Sequence, residues 1–228
     1  MLQGRPTRYT TARTIIHGID ETMVAGQGRP WQNHTLGQAQ DVRPWIDAPT
    51  TIDPRISGNL ERFARLLPRI PTVLDVGCYG GYCYDWLSKR FPGLLYTGID
   101  VDAAAIDAAR RAHKGRPLAR FAVGDLFDLA PTVAEYGPFD AVLCLRVVIH
   151  TPWLDKSLRQ LAKAAPVALV GLRIGATDEA RETLDEISGE RHFWRVFTPQ
   201  TIAGSVPPDM SHELHLDHAY HSLVLRRK

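Results

Sequence analysis

The stretch that decides the fold is "VLDVGCYGGYC", residues 73–83. An apolar run that carries one aspartate leads directly into Gly77, Gly80 and Gly81. This order predicts a buried strand that turns into a helix, because glycine permits positive φ and close approach of another backbone. In an open α/β sheet, the turn after such a strand forms the floor of a ligand site. The stretch therefore predicts a ligand-binding turn.

Strand-like and helix-like runs alternate on both sides of this turn. "LLYTGID", "LARFAVG", "FDAVLCL" and "VALVGLRI" read as strands, and "GYCYDWLSKRF", "DAAAIDAARRAHKG" and "DKSLRQLAKAA" read as helices. Asp102 suits the N-cap of the second helix and Gly115 its end. Near the C-terminus "HELHLD" and "YHSLVLRR" have hairpin spacing, which makes the last strand antiparallel. The predicted fold class is α/β, a mostly parallel sheet with helices on both faces.

Residues 1–58 differ from the rest, being rich in Thr, Gly, Pro and Gln, and only residues 11–23, "TARTIIHGIDETM", have helical spacing. We predict an N-terminal lid or substrate-recognition extension over 1–58 and a core over 59–228. The start of the chain lacks an apolar signal region, and no apolar run approaches the length of a membrane span.

The chain is nearly neutral, with 27 Lys and Arg against 25 Asp and Glu in 228 residues. This balance makes a nucleic-acid partner unlikely, because such surfaces cluster their basic residues. The three cysteines have no zinc-site spacing and indicate reduced thiols in a cytoplasmic protein.

The spacing around the glycines excludes two common ligands. A dinucleotide turn that begins at Gly77 would need glycines where Tyr79 and Tyr82 stand, and no G-K-[ST] follows for a nucleoside triphosphate. Acids follow the next two strands instead. Asp100 closes "YTGID", where its carboxylate can accept from two ribose hydroxyls, and Asp125 in "VGDLF" can accept from an adenine amino group.

Together these motifs resemble the class I S-adenosylmethionine-dependent methyltransferases over about residues 66–174. The resemblance implies a Rossmann-like seven-stranded sheet with an antiparallel C-terminal strand, and S-adenosylmethionine as cofactor. Tyr79 departs from the family pattern, since glycine usually stands there, and Gly80 follows it. By similarity, Asp75, Gly77 and Gly81 would border the methionine part of the cofactor, and Leu145 would lie near the sulfonium. Asp100 would hold ribose. Val101 would pack on adenine, and Asp125 and Leu126 would flank the adenine edge.

The loop "LRVVIHTP" after the fourth strand of this pattern holds the candidate base, His150. Histidine titrates near neutral pH and suits proton removal from an acceptor, although packing or a loop hydrogen bond is the favoured alternative. Arg146 could meet an anionic substrate or a nearby carboxylate, and the second is favoured. Metal-dependent relatives carry an aspartate where Leu145 and Arg146 stand, so no catalytic magnesium is expected.

Substrate contacts are predicted outside the motifs, because aromatic and polar groups together suit a small-molecule pocket. The alternative is that the tryptophans pin the extensions onto the core. The candidates are Trp31 and His34 in the N-terminal segment, and His192 and Trp194 in the insertion over residues 175–197. His212, His215, His218 and His221 recur every third residue, but a strand sends such neighbours to opposite faces, so no metal site is predicted.

The sequence thus predicts an S-adenosylmethionine-dependent methyltransferase that acts on an oxygen or nitrogen of a small molecule, for example in natural-product biosynthesis. Two alternatives stay open: an RNA-modifying methyltransferase and a non-catalytic S-adenosylmethionine-binding subunit. We expect a small-molecule substrate and no membrane partner. The oligomeric state is left open, a homodimer being one option.

Overall fold

The computed structural model describes residues 9–15, 56–185, 191–217 and 221–228. Its centre is a seven-stranded sheet. Val73 and Leu74, on the second strand of the chain, are fully buried, and Val76 nearly so, because this strand lies inside the sheet and is covered on both faces. The seven strands are β2 (Thr72–Val76), β3 (Leu95–Asp100), β4 (Ala119–Val123), β5 (Ala141–Cys144), β6 (Val167–Leu172), β9 (Met210–His215) and β10 (His221–Arg227).

The order of strands in this sheet is β4-β3-β2-β5-β6-β10-β9. The five strands β4, β3, β2, β5 and β6 are parallel to one another. Strand β10 is antiparallel to both β6 and β9. This arrangement confirms the predicted fold class and the predicted antiparallel C-terminal strand. The chain leaves β2 toward β3 on one side and returns to β5 on the other, so the topological switch point lies between β2 and β5.

Six α-helices accompany the strands in the described residues: α1 (Ser57–Ala64), α2 (Tyr82–Arg90), α3 (Ala103–Ala112), α4 (Ala130–Tyr136), α5 (Leu154–Ala164) and α6 (Pro199–Ser205). The predicted boundaries of α3 are confirmed: the Asp102 side chain accepts a hydrogen bond from the backbone N–H of Ala104, and Gly115 has a φ of 84° just beyond the helix. Across the described residues, no helix is both long enough and apolar enough to traverse a bilayer.

A second, three-stranded sheet joins the start of the chain to the insertion after β6. Its strands are β1 (Tyr9–Ile15), β7 (Glu179–Asp185) and β8 (Arg191–Val196), in the order β1-β7-β8 and antiparallel throughout. The helix prediction for residues 11–15 is therefore wrong, and residues 16–23 lie outside the described part. Threonine and isoleucine are stiff at χ1 and favour strands, and the partner strand β7 is far away in sequence, beyond the reach of local spacing.

Candidate functional site

The glycine turn after β2 packs directly against the loop after β5. The backbone N–H groups of Gly77 and Cys78 both donate to the carbonyl oxygen of Ile99, at 2.8 and 2.9 Å. Gly77 has a φ of 77°, and a Cβ atom placed on it would lie 2.0 Å from Cγ2 of Val147. A side chain at Gly77 would therefore force the two loops apart at the switch point.

The far end of the turn begins helix α2. Gly81 is the N-cap residue with a φ of 81°, and a Cβ atom there would lie 2.6 Å from the Phe121 ring and 2.9 Å from Nε2 of His113. Between the two glycines, Tyr79 has a φ of 49°. The position where the family usually has glycine thus keeps a left-handed backbone although it carries a tyrosine. Gly80 beside it is buried.

Asp100 ties the turn to the end of the neighbouring strand. One carboxylate oxygen accepts from the backbone N–H of Tyr79 and the other from the backbone N–H of Asp102, each at 3.0 Å. Burial raises the pKa of Asp100, and the two backbone hydrogen bonds oppose that shift. Each carboxylate oxygen has two lone pairs, so a second donor such as a hydroxyl can bind to each.

Asp75 lies beneath the turn rather than on its surface. Its side chain is 2% exposed, and the Tyr96 hydroxyl donates to it at 2.5 Å. Burial raises the pKa of Asp75 to about 7, against hydrogen bonds from Tyr96 and Cys83 that lower it. The contacts of this carboxylate are thus with side chains of β3 and α2, and they join the strand to the helix below the glycines.

This burial predicts a pH-dependent stability. The pKa of Asp75 lies above its ordinary value of 3.8 when the chain is folded, so the folded state holds the proton more tightly and the unfolding free energy falls as pH rises. Between pH 3.8 and about 7 the loss amounts to about 4 kcal/mol. Asp75→Asn keeps an acceptor for Tyr96 and should flatten the profile, as measured by urea unfolding at several pH values. Exposed Asp107→Asn is the control, and parallel wild-type and Asp75→Asn profiles would contradict the assignment.

The end of β4 comes up beside Asp100. The backbone N–H of Gly124 donates to the carbonyl oxygen of Asp100 at 3.0 Å, and Oδ1 of Asp125 accepts from the backbone N–H of Phe127 at 2.9 Å. Leu126 is buried, and Val101 is half-buried on the loop before α3. The structure thus places Asp100, Val101 and Asp125 at or just after the carboxyl ends of two adjacent strands. That they bind a nucleoside stays a prediction.

The loop after β5 carries the other candidate residues. Leu145 is buried, whereas Arg146 is half-buried with a φ of 62°. A short 3-10 helix (Val148–His150) follows, and its last residue, His150, is half-buried. The Thr151 hydroxyl donates to the carbonyl oxygen of Val148 at 3.0 Å. This loop therefore brings Arg146 and His150 to the edge of the sheet that Gly77 and Asp100 occupy.

Two arginines that the sequence prediction missed contact the surroundings of strand β8: Arg195 joins β8 to this loop, and Arg173 joins the end of β6 to β8. Arg195 on β8 donates to the carbonyl oxygen of Pro152 at 2.5 Å and lies over the Phe197 ring. Burial lowers the pKa of Arg195, and the nearby charge of Asp178 opposes this shift. Arg173, just after β6, lies 4.4 Å from the ring centre of Trp194. The alternation in "RHFWRVF" was the available signal for a strand here.

The structure describes the positions of only two of the remaining predicted substrate residues. Trp194 is half-buried on β8, and His192 lies two residues earlier on the same strand. Trp31 and His34 lie outside the described residues, as does His218. His212 and His215 are on β9, and His221 is on β10. Within the described ranges, no three His, Cys, Asp or Glu side chains converge as metal ligands.

Known proteins resemble the chain in this same region. Residues 74–166 match the family described as "Methyltransferase domain". A release factor glutamine methyltransferase from Chlorobaculum tepidum is 30% identical over 149 residues, which are 62% of this chain and 44% of that protein. A trans-aconitate 2-methyltransferase from Paracidovorax citrulli is 39% identical over 75 residues, 31% of this chain and 28% of that protein. The chain thus spans less than half the length of these two curated relatives.

Solved structures share the fold at lower identity. DesVI from Streptomyces venezuelae superimposes with a TM-score of 0.60 at 14% identity, covering 82% of this chain and 98% of that chain. The N-terminal domain of EvdMO1, solved with SAH bound, gives a TM-score of 0.56 at 17% identity, covering 78% and 83%. The matched domain, the strand order and the motif positions agree, and in all three the chain is similar to the class I S-adenosylmethionine-dependent methyltransferases.

Proposed function

We propose that this chain transfers a methyl group from S-adenosylmethionine to an oxygen or nitrogen atom of a small organic molecule. The observation that carries the proposal is the position of Asp100. Its carboxylate lies at the end of β3, within hydrogen-bond distance of the Tyr79 N–H in the glycine turn, next to the switch point where open α/β sheets bind ligands. The match of residues 74–166 to a methyltransferase domain and the names of the curated relatives, which include trans-aconitate 2-methyltransferases, support the reaction class.

The residues present fit this cofactor. Asp100 and Asp125 offer carboxylate oxygens at adjacent strand ends, which suits hydroxyl and amino donors. The half-buried Val101 beside them offers an apolar contact for a flat ring. Gly77, Tyr79 and Gly81 hold the left-handed turn that lets the backbone approach a ligand. S-adenosylmethionine, when bound, supplies a methyl group on a sulfonium, and the chain's own task is to align the acceptor with it and exclude water.

The direct test is turnover by the purified chain. We would measure S-adenosylhomocysteine binding by calorimetry, then incubate the chain with methyl-labelled S-adenosylmethionine and a panel of small phenols, carboxylic acids and amines, with bulk tRNA as a separate arm. Labelled small product supports the proposal, and labelled tRNA would favour RNA modification. Cofactor binding without transfer to any acceptor would favour a non-catalytic subunit, and a chain that fails to bind would refute the proposal.

His150 is the proposed general base. It ends the 3-10 helix in the loop after β5, the same loop whose Val147 contacts Gly77. His150→Ala should lower turnover by about 100-fold and leave S-adenosylhomocysteine affinity nearly unchanged. The loss should shrink at high pH, where the acceptor loses its proton unaided. His212→Ala, on an exposed strand position, is the control. Near-normal turnover of His150→Ala at every pH would remove this residue from the mechanism.

The segment before residue 59 is proposed to act as a lid or substrate-recognition extension. Its strand β1 is the edge partner of β7, and β8 of the same sheet contacts the His150 loop through Arg195. Deleting residues 1–50 should therefore keep cofactor affinity and abolish turnover, because acceptor alignment and water exclusion are lost. Deleting residues 1–8, which leaves β1 intact, should retain activity. Full activity of the longer deletion would contradict this role.

A further inference from the structure

Two bulky residues adopt a left-handed backbone at the switch point. Among the described residues, Tyr79 and Arg146 are the non-glycine positions with positive φ, at 49° and 62°. They follow β2 and β5, which are neighbours in the sheet. Such a conformation costs an L-residue roughly 1–2 kcal/mol, and strain of this kind collects at functional sites. Glycine is the usual residue at such positions, so bulky side chains held there are candidates for a functional role.

The backbone on both sides of Arg146 is held by close packing. Val147 contacts Gly77, and Leu145 lies against Gly171 on β6, where a Cβ atom would be 3.2 Å from Cδ2 of Leu145. The turn therefore cannot shift to relieve the strained residue between them. The half-buried Arg146 side chain is presented from a rigid loop at the carboxyl edge of the sheet.

A second arginine ends the next strand. Cys144 pairs with Val170 in the parallel ladder, and the backbone nitrogen of Arg146 lies 3.4 Å from the Cβ position of Gly171, two residues before Arg173. The Arg173 guanidinium lies 4.4 Å from the Trp194 ring centre, and this cation–π contact restricts its position. The backbone N–H of Phe197 also donates to the carbonyl oxygen of Arg173 at 2.9 Å. Two arginines thus lie at the carboxyl ends of the neighbouring strands β5 and β6.

We propose that Arg146 and Arg173 bind an anionic oxygen group, a carboxylate or a phosphate, on the methyl acceptor. The planar fork of guanidinium donors matches such groups, and a pre-positioned arginine loses little freedom on binding. This inference rests on the proposed methyltransferase function and narrows its substrate class.

The test uses the full chain loaded with S-adenosylhomocysteine and two probes, citrate for carboxylates and inorganic phosphate for phosphates. Calorimetric titration should show saturable binding of at least one probe, and the preferred probe identifies the anion. Arg146→Gly and Arg173→Gln should each weaken that binding by about tenfold, and exposed Arg159→Gln should not. Wild type that binds S-adenosylhomocysteine but neither anion would overturn this inference and leave the methyltransferase proposal standing. Failure to bind S-adenosylhomocysteine would instead refute both.

Thermal unfolding separates ligand binding from a structural role. Arg146→Gly relieves the strain of the left-handed backbone in the folded state, but it also raises the conformational entropy of the unfolded chain. These two effects on the unfolding free energy roughly cancel. We therefore expect an unchanged or slightly higher Tm together with weakened anion binding. A Tm lowered by several degrees with anion binding intact would show that Arg146 only braces the loop, and would overturn the proposal.

Discussion

Gly77→Ala should weaken S-adenosylhomocysteine binding by about 100-fold or more, the largest effect that we expect from one methyl group in this chain. The added Cβ would lie 2.0 Å from Cγ2 of Val147, and the φ of 77° is unfavourable for any L-residue. The glycine turn and the loop after β5 would have to separate. Since both loops border the proposed cofactor site, its shape would be lost along with stability. Calorimetry and urea unfolding measure the two losses.

Two further variants separate the clash from the backbone strain. Gly115 also has a positive φ, of 84°, but a Cβ atom there meets nothing within 4 Å. Gly115→Ala should therefore cost about 1 kcal/mol of stability and leave cofactor binding unchanged. Adding Val147→Ala to Gly77→Ala removes the nearest clashing atom and should recover part of the binding. Unimpaired binding by Gly77→Ala would show that the two loops do not shape the cofactor site.

Asp100→Ala should weaken S-adenosylhomocysteine binding by about tenfold at least. The loss should be larger if the carboxylate accepts hydrogen bonds from both ribose hydroxyls. The substitution also removes the acceptors for the N–H groups of Tyr79 and Asp102. Asp100→Asn should be nearly as harmful, because its NH2 group would face one of these donors. Asp107→Ala, at an exposed position on α3, is the matched control. Unchanged affinity in a folded Asp100→Ala chain would refute the ribose role.

A loss of S-adenosylhomocysteine affinity in Asp100→Ala does not show whether Asp100 contacts the ribose or only holds the glycine turn in place. Adenine without ribose is the discriminating probe. If Asp100 binds ribose directly, adenine should bind wild type and Asp100→Ala with similar weak affinity. If Asp100 acts by holding Tyr79, adenine binding should fall as well, and the assignment would change to an indirect one.

The sequence predicted the parts of the fold whose signals are local. Apolar runs ended by glycine or an acid predicted β2, β3 and β4 and the helices between them, and Asp102 and Gly115 bounded α3 as expected. The small sheet could not be predicted in this way. Its edge strand β1 is defined by pairing with β7, and no local pattern in residues 9–15 reveals a partner so distant in the chain.

In the candidate site, too, the features with local sequence signals were predicted and those that depend on distant contacts were not. Asp100 and Asp125 were placed correctly at strand ends because motif spacing determines strand ends. The burial of Asp75 beneath the turn was not foreseen, because it depends on Tyr96 reaching across from the neighbouring strand. Arg173 and Arg195 were missed for a similar reason, since their positions depend on β8 packing against the loop that carries His150.

The pairing of β1 with β7 has a consequence for the order of folding. Tyr9 is opposite Asp185, so the first strand must wait until most of the polypeptide has been synthesised before its partner exists. Closing so long a loop is entropically costly and follows the formation of nearer contacts. We therefore expect the parallel sheet to assemble first during synthesis on the ribosome, with the N-terminal strand joining last. A nascent chain would then have formed its glycine turn before β1 pairs with β7.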